Sequence, residues 1–191
     1  MKFRFVIPGL IFAVLFIAFA WMLRRIDGGY NPQVLESPLI GKPMPTFRVP
    51  RLENAAEFVS SEDFKGRAYV VNIWGTWCVE CRHEHPMLLK IGSEKAVPLV
   101  GLDIKDDLDA AKRWLQTLGN PYMVTGFDAD GRVAFNLGVY GAPETFLVDR
   151  NGMIVYKLVG VLTQEVWDKE FLPRISADQQ TGNGGEGRAG S

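Results

Sequence analysis

The chain has 191 residues, which suits one domain with extensions, and its 47% apolar and 12% aromatic content is enough to build a core. A formal charge of −1 with scattered basic residues leaves no footprint for nucleic acid or a broadly anionic partner.

Phe5 to Leu23 is a run of 19 uncharged, mostly apolar residues preceded by Lys2 and Arg4. It is long enough to span a bilayer, so residues 1–25 read as a short N-terminus followed by one transmembrane helix. The rival is a cleaved signal peptide, with Ala18-Phe19-Ala20 as a small-x-small site. The apolar run continues past that site through Trp21 to Arg24-Arg25, which favours an uncleaved anchor with Trp21 in the interfacial belt. Arg24-Arg25 balances Lys2 and Arg4, so charge alone gives no orientation. Residues 26–40 lack a period and read as a tether, 41–175 as the folded domain.

Thr46 to Leu52 and Glu57 to Ser60 alternate over short stretches and predict an edge hairpin, where Pro50 is tolerated. Ala68 to Trp74 is nearly continuous apolar sequence, as in a strand buried on both faces. Val79 to Ile91 is helical in pattern, with Met87, Leu88 and Ile91 facing a core and Pro86 bending it. Val97 to Leu102 reads as a second buried strand. Leu108 to Leu118 reads as an amphipathic helix with Ala111, Trp114, Leu115 and Leu118 inward, stopped by Gly119-Asn120-Pro121. Tyr122 to Phe127 follows as a strand, Asp128 to Gly131 as a polar turn without the later ligands of a calcium loop, and Val133 to Leu137 as a short helix. Thr145 to Val148 and Met153 to Leu158 flank Asn151-Gly152, a hairpin signal. Thr163 is a candidate N-cap for a helix to about Phe171, with Pro173 beyond. Residues 176–191 carry no hydrophobic face and read as a disordered tail.

The only two cysteines, Cys78 and Cys81, sit three apart behind the best strand. If the chain turns from strand to helix at Cys78, unpaired N–H groups and the helix dipole favour a thiolate there, and Cys81 is one turn away to resolve a mixed disulfide. A static disulfide is a weak rival because a four-residue ring constrains the unfolded chain little. A zinc site using His83 and His85 fails on geometry: residues two apart on a helix point to different faces, so no metal is expected.

Asn72-Ile73-Trp74-Gly75-Thr76-Trp77-Cys78-x-x-Cys81-Arg82-x-Glu84-His85, taken with Gly138-Val139-Tyr140-Gly141-Ala142-Pro143-Glu144-Thr145-Phe146-Leu147-Val148-Asp149, resembles the membrane-anchored cytochrome c biogenesis thioredoxins called CcmG or DsbE. The resemblance covers roughly Gly41 to Phe171. It implies an α/β thioredoxin fold, a mixed central sheet with helices on both faces and an extra N-terminal β-hairpin. It also implies a periplasm-facing dithiol reductase held in the bacterial inner membrane, and no cofactor. The implied partners are apocytochrome c or a maturation thiol protein, and a membrane donor that re-reduces the pair. Cys78 is then the nucleophile and Cys81 the resolver of a redox-active disulfide, and Pro143, after Ala142, is the cis-proline facing it. Tyr140 to Thr145 form a groove for extended peptide, with Trp77 as an exposed platform and Trp74 in the core.

Thioredoxins generally keep a buried acid six residues before the first cysteine, where this chain has Asn72. Glu84, three residues after Cys81, is the best substitute as an acid-base group for the resolving thiol, and Glu144 the second. Glu80 between the cysteines disfavours the Cys78 thiolate and biases the pair toward reduction of its partners. A general periplasmic disulfide oxidoreductase and a redox-silent peptide-binding module remain the rival functions.

Overall fold

The structure, a computed structural model, describes residues 3–27 and 38–186, with side chains over 7–22 and 38–181. It divides into two units, Met1–Gln33 and Val34–Ser191. The first holds α1 (Phe3–Asp27). The expected transmembrane anchor is not sustained, because among the described residues no helix is long and apolar enough to cross a membrane. The tether read over 26–40 lies for the most part outside the described residues.

In the second unit a hairpin of β1 (Arg48–Pro50) and β2 (Phe58–Ser60) precedes the central sheet, with Pro50 opposite Phe58. The sheet comprises β3 (Tyr69–Trp74), β4 (Leu99–Ile104), β5 (Val124–Asp128), β6 (Glu144–Val148) and β7 (Ile154–Val159), in the order β5-β4-β3-β6-β7. β3, β4 and β5 run parallel, while β6 and β7 join antiparallel through the Asn151-Gly152 turn. This is a thioredoxin-like α/β fold. Every residue of β3 and β4 is buried, as their continuous apolar runs require.

The parallel strands are linked by α2 (Val79–Glu94) and α3 (Leu108–Leu118). Such crossovers are right-handed, and two taken in the same direction along a sheet land their helices on one face. There Leu88, Ile91, Ala111, Trp114 and Leu115 pack with Val70, Trp74 and Leu99. The opposite face, carrying Val71, Ile73, Val100 and Leu102, is covered by the hairpin, by Phe64 of a 3-10 turn (Ser61–Phe64) and by the short α4 (Arg132–Asn136). Asp128 seats α4 by accepting from the Val133 and Ala134 N–H groups, so the acidic loop is a turn device.

The C-terminal helix departs from the sequence reading. Thr163 does cap α5 (Gln164–Val166), accepting from the Val166 N–H. The chain then widens into a π turn (Trp167–Phe171) and continues as α6 (Leu172–Glu186), through most of the stretch read as a disordered tail. Pro173 is the second residue of α6 and follows directly on the π turn. Composition showed no face on 176–191, but Ile175 is buried with Trp167 and Phe171, and Asp178 pairs with Arg150 at 3.1 Å. Residues 187–191 lie outside the described residues.

The hairpin closes the β5 edge: Arg51 bridges Gly126, and the Leu52 N–H donates to the Thr125 carbonyl at 2.9 Å. Gly126 permits this approach, since an added Cβ would stand 2.5 Å from Val49 Cγ2 and 2.8 Å from Val59 Cγ1. Gly126→Ala is therefore expected to cost about 1–3 kcal/mol in urea unfolding, with the loss concentrated in hydrogen-exchange protection of the hairpin. Unchanged protection at Val49 and Val59 would contradict this docking.

Candidate redox site

β3 ends at Trp74, and after the three residues Gly75, Thr76 and Trp77 the chain enters α2 with Cys78 as its N-cap. The turn is held from outside. Asp106, just after β4, accepts from the Thr76 N–H and, at 2.6 Å, from the Thr76 hydroxyl. The Trp77 indole folds back over Gly75 and donates to the Ile104 carbonyl at 3.1 Å. Trp77 stays half exposed, whereas Trp74 is buried and stacks on Tyr122.

Cys78 and Cys81 form a disulfide, both buried, and the Cys78 sulfur accepts from the Cys81 N–H at 3.0 Å. Val79 is exposed between them, and Glu80 is exposed beside His83 at 3.3 Å. His85 lies inward, edge-on to Trp114 and 3.0 Å from the Gly119 carbonyl, and burial holds its pKa below the usual range. The two histidines thus part to different surroundings, and among the described residues no group of three or more potential ligands is arranged for a metal.

The second half of the site comes from β6. Ile73 pairs with Glu144, so the start of β6 lies beside the end of β3, and the Ala142–Pro143 peptide just before it is cis. Ala142 packs against the cluster that contains both cysteines. Pro143 is buried and its carbonyl accepts from the Gly160 N–H at 2.9 Å, while Tyr140 is 76% exposed.

Glu84 and Glu144 are both buried, with different partners. Glu84 Oε1 accepts from Asn72 Nδ2 at 2.8 Å and Oε2 from the Leu162 N–H at 2.9 Å. Burial outweighs these bonds and pushes its pKa up to about 7. Glu144 instead ties down the loop ahead of the cis-proline: Oε1 accepts from the Tyr140 N–H at 2.7 Å and the Gly141 N–H at 3.3 Å. Its Oε2 lies 2.8 Å from the Lys157 ammonium, and that fully buried ammonium also donates to the Gly138 carbonyl at 2.8 Å.

Sequence reasoning missed Lys157, Asp103 and Asp106. The first two did leave a mark, each being a charge inside a run otherwise apolar, Ile154–Val159 and Leu99–Ile104. Asp103 is wholly buried, and burial, with Asp106 nearby, pushes its pKa up to about 9.

The Redoxin family model matches residues 39–171. The thiol:disulfide interchange protein DsbE of Escherichia coli K12 is 45% identical over 168 residues, covering 87% of this chain and 90% of that protein. The chain belongs to the DsbE family of thiol:disulfide interchange proteins. The Pseudomonas aeruginosa DsbE is 47% identical over 143 residues, covering 75% of this chain and 79% of that one. A crystal structure of a DsbF homologue from Corynebacterium diphtheriae superposes with a TM-score of 0.59 at 25% identity, covering 67% of this chain and 83% of that one. The activity of this DsbE family member is that of a thiol:disulfide oxidoreductase with its cysteine pair in C-x-x-C spacing.

Glu144→Gln would leave the Lys157 ammonium buried without its counter-charge, at an expected cost of about 3–5 kcal/mol in chemical unfolding. The double variant Glu144→Gln/Lys157→Met should recover most of that loss; equal instability of the single and double variants would count against the ion pair as the cause.

Proposed function

We propose that this chain is a periplasmic dithiol reductase of cytochrome c maturation, acting on the haem-binding cysteines of apocytochrome c or on a partner thiol protein. The observation that carries the reading is the Cys78–Cys81 pair at the N-terminus of α2, with the cis Ala142–Pro143 segment packed beside it. In the reduced enzyme the Cys78 thiolate attacks one sulfur of the substrate disulfide. The substrate S–S bond breaks and one substrate thiolate leaves, giving a mixed disulfide. Cys81 then loses its proton and attacks the Cys78 sulfur, which releases the second substrate thiolate and re-forms the Cys78–Cys81 disulfide. Two electrons have passed to the substrate, and a membrane donor restores the dithiol.

Each residue has a place in that cycle. The Cys81 N–H that already meets the Cys78 sulfur supports negative charge there. Tyr140, Ala142 and Pro143 offer an extended edge, held by Glu144, to the substrate strand, and Trp77 with Val79 forms an apolar border for it. Glu84, one turn beyond Cys81, takes the resolving proton. With its pKa at about 7 it is ionised in a useful fraction at neutral pH and able to release the proton afterwards.

Loss of the resolver should trap the substrate. Cys81→Ala is expected to accumulate a mixed disulfide through Cys78 that mass spectrometry identifies as a c-type apocytochrome or a maturation protein. A spread of unrelated disulfide proteins, with rapid insulin reduction, would favour the broad oxidoreductase instead. For Glu84, the base form is lost as pH falls through about 7, so the resolving step should slow up to tenfold per unit below that point. Rapid-mixing kinetics of Glu84→Gln should lack this inflection, and an unchanged pH profile would remove Glu84 from proton transfer.

A further inference from the structure

Asn72 stands where thioredoxins carry an acid, and its side chain meets three partners in the core. Oδ1 accepts from the Tyr122 hydroxyl at 2.7 Å, while Nδ2 donates to Glu84 Oε1 at 2.8 Å and to Thr145 Oγ1 at 3.1 Å. An amide has two ends of opposite character, and only its NH2 end supports an ionised carboxylate. A phenol that donates to the oxygen therefore decides that the nitrogen faces Glu84. Burial, with the nearby charges of Glu84 and Asp103, holds the Tyr122 pKa well above its usual value, so the phenol keeps the proton it donates.

The chain is shaped to bring that hydroxyl in. Tyr122 lies outside β5, in the turn after α3, where its N–H donates to Asn120 Oδ1 at 3.0 Å. Its ring crosses β4 at Gly101, where an added Cβ would lie 2.8 Å from the ring. The preceding Pro121 presses on α2 at Gly92, where a Cβ would meet the Pro121 carbonyl oxygen at 2.2 Å. Two glycines on two different elements thus open the slot through which Tyr122 reaches Asn72, and its ring stacks on Trp74 with centroids 5.8 Å apart.

We propose that Tyr122 is a positioning residue of the redox site, its hydroxyl locking the Asn72 amide so that the NH2 end faces Glu84 and sustains the ionised carboxylate. This rests on the reading of Glu84 as the group that takes the Cys81 proton. Asp103 from β4 is the other acid whose charge acts on Tyr122, and Cys81 and His85 are the other titratable residues buried on α2 with Glu84. Asp103, with its pKa pushed up to about 9, is uncharged over the range in which Glu84 titrates. Without the phenol, Asn72 Oδ1 has no donor, and the amide can turn its oxygen toward Glu84, which favours the protonated acid.

The test is the Glu84 titration in the full-length disulfide form, followed by carboxyl carbon NMR and assigned by its disappearance in Glu84→Gln. Tyr122→Phe, which keeps the ring on Trp74, should move the midpoint upward by about half a unit to one unit, a three- to tenfold gain in proton affinity. Gly101→Ala, which keeps the hydroxyl but displaces the ring, should move it the same way and serves if Tyr122→Phe does not fold. A folded Tyr122→Phe whose midpoint stays in place overturns the proposal, since a purely structural tyrosine would lower stability alone. Cys81 carries no proton in the disulfide form, so a shift there stands even if Glu84→Gln leaves exchange kinetics unaltered; that result would sink only the role of Glu84 in resolution.

Discussion

One junction governs this molecule: β3 delivers the chain to Cys78, and Cys78 is at once the end of a strand approach and the first cap of α2. A buried strand must be paired on both sides, so β4 and β6 flank β3, and each brings its own polar equipment to the same end of the sheet. From the β4 side come Asp106, which holds Thr76, and the Ile104 carbonyl, which holds Trp77. From the β6 side come the cis-proline and Glu144. The cysteine pair is therefore fixed by neighbours on both sides rather than by its own short loop.

The site is also unusual in how much charge it keeps out of water. Glu84, Asp103, Glu144 and Lys157 are all essentially inaccessible. Burial of an ionisable group is costly unless it is neutralised or paired, and each group solves this in its own way. Glu144 and Lys157 pair with each other. Asp103 holds its proton, and Glu84 sits between, with enough hydrogen bonds to titrate near neutrality and too few to stay ionised everywhere. That middle position is what a proton acceptor for a resolving thiol needs, since a fully stabilised carboxylate would be too weak a base.

Division of labour between the two buried glutamates follows from their elements. Glu84 is on a helix, one turn past Cys81, and its bonds run to the sheet and to the Leu162 amide. Glu144 is the first residue of a strand and its bonds run backward into the Tyr140-Gly141 loop. The sequence offers both as acids near Cys81, and in the structure their bonds tie them to different parts of the fold.

Much of the site was legible because local rules carry it. The cysteine spacing, the strand before it, the Asn151-Gly152 hairpin and α3 with its stop at Gly119 follow from periodicity and turn chemistry acting over a few residues. Other features depend on residues far apart in the chain and left only faint marks. The link from Tyr122 to Asn72 spans fifty positions, and Glu84 reaches the Leu162 amide across seventy-eight. The helix past Pro173 holds because Ile175 and Asp178 find partners elsewhere in the fold, and the apolar run near the N-terminus did not yield a spanning helix among the described residues. Sequence by itself determined the strands and helices around the cysteine pair and the C-x-x-C spacing of the pair, since backbone preference and side-chain period are local. Only tertiary structure decided which buried groups are charged, because the proton affinity of a buried side chain depends on its surroundings and those are assembled from every strand of the sheet.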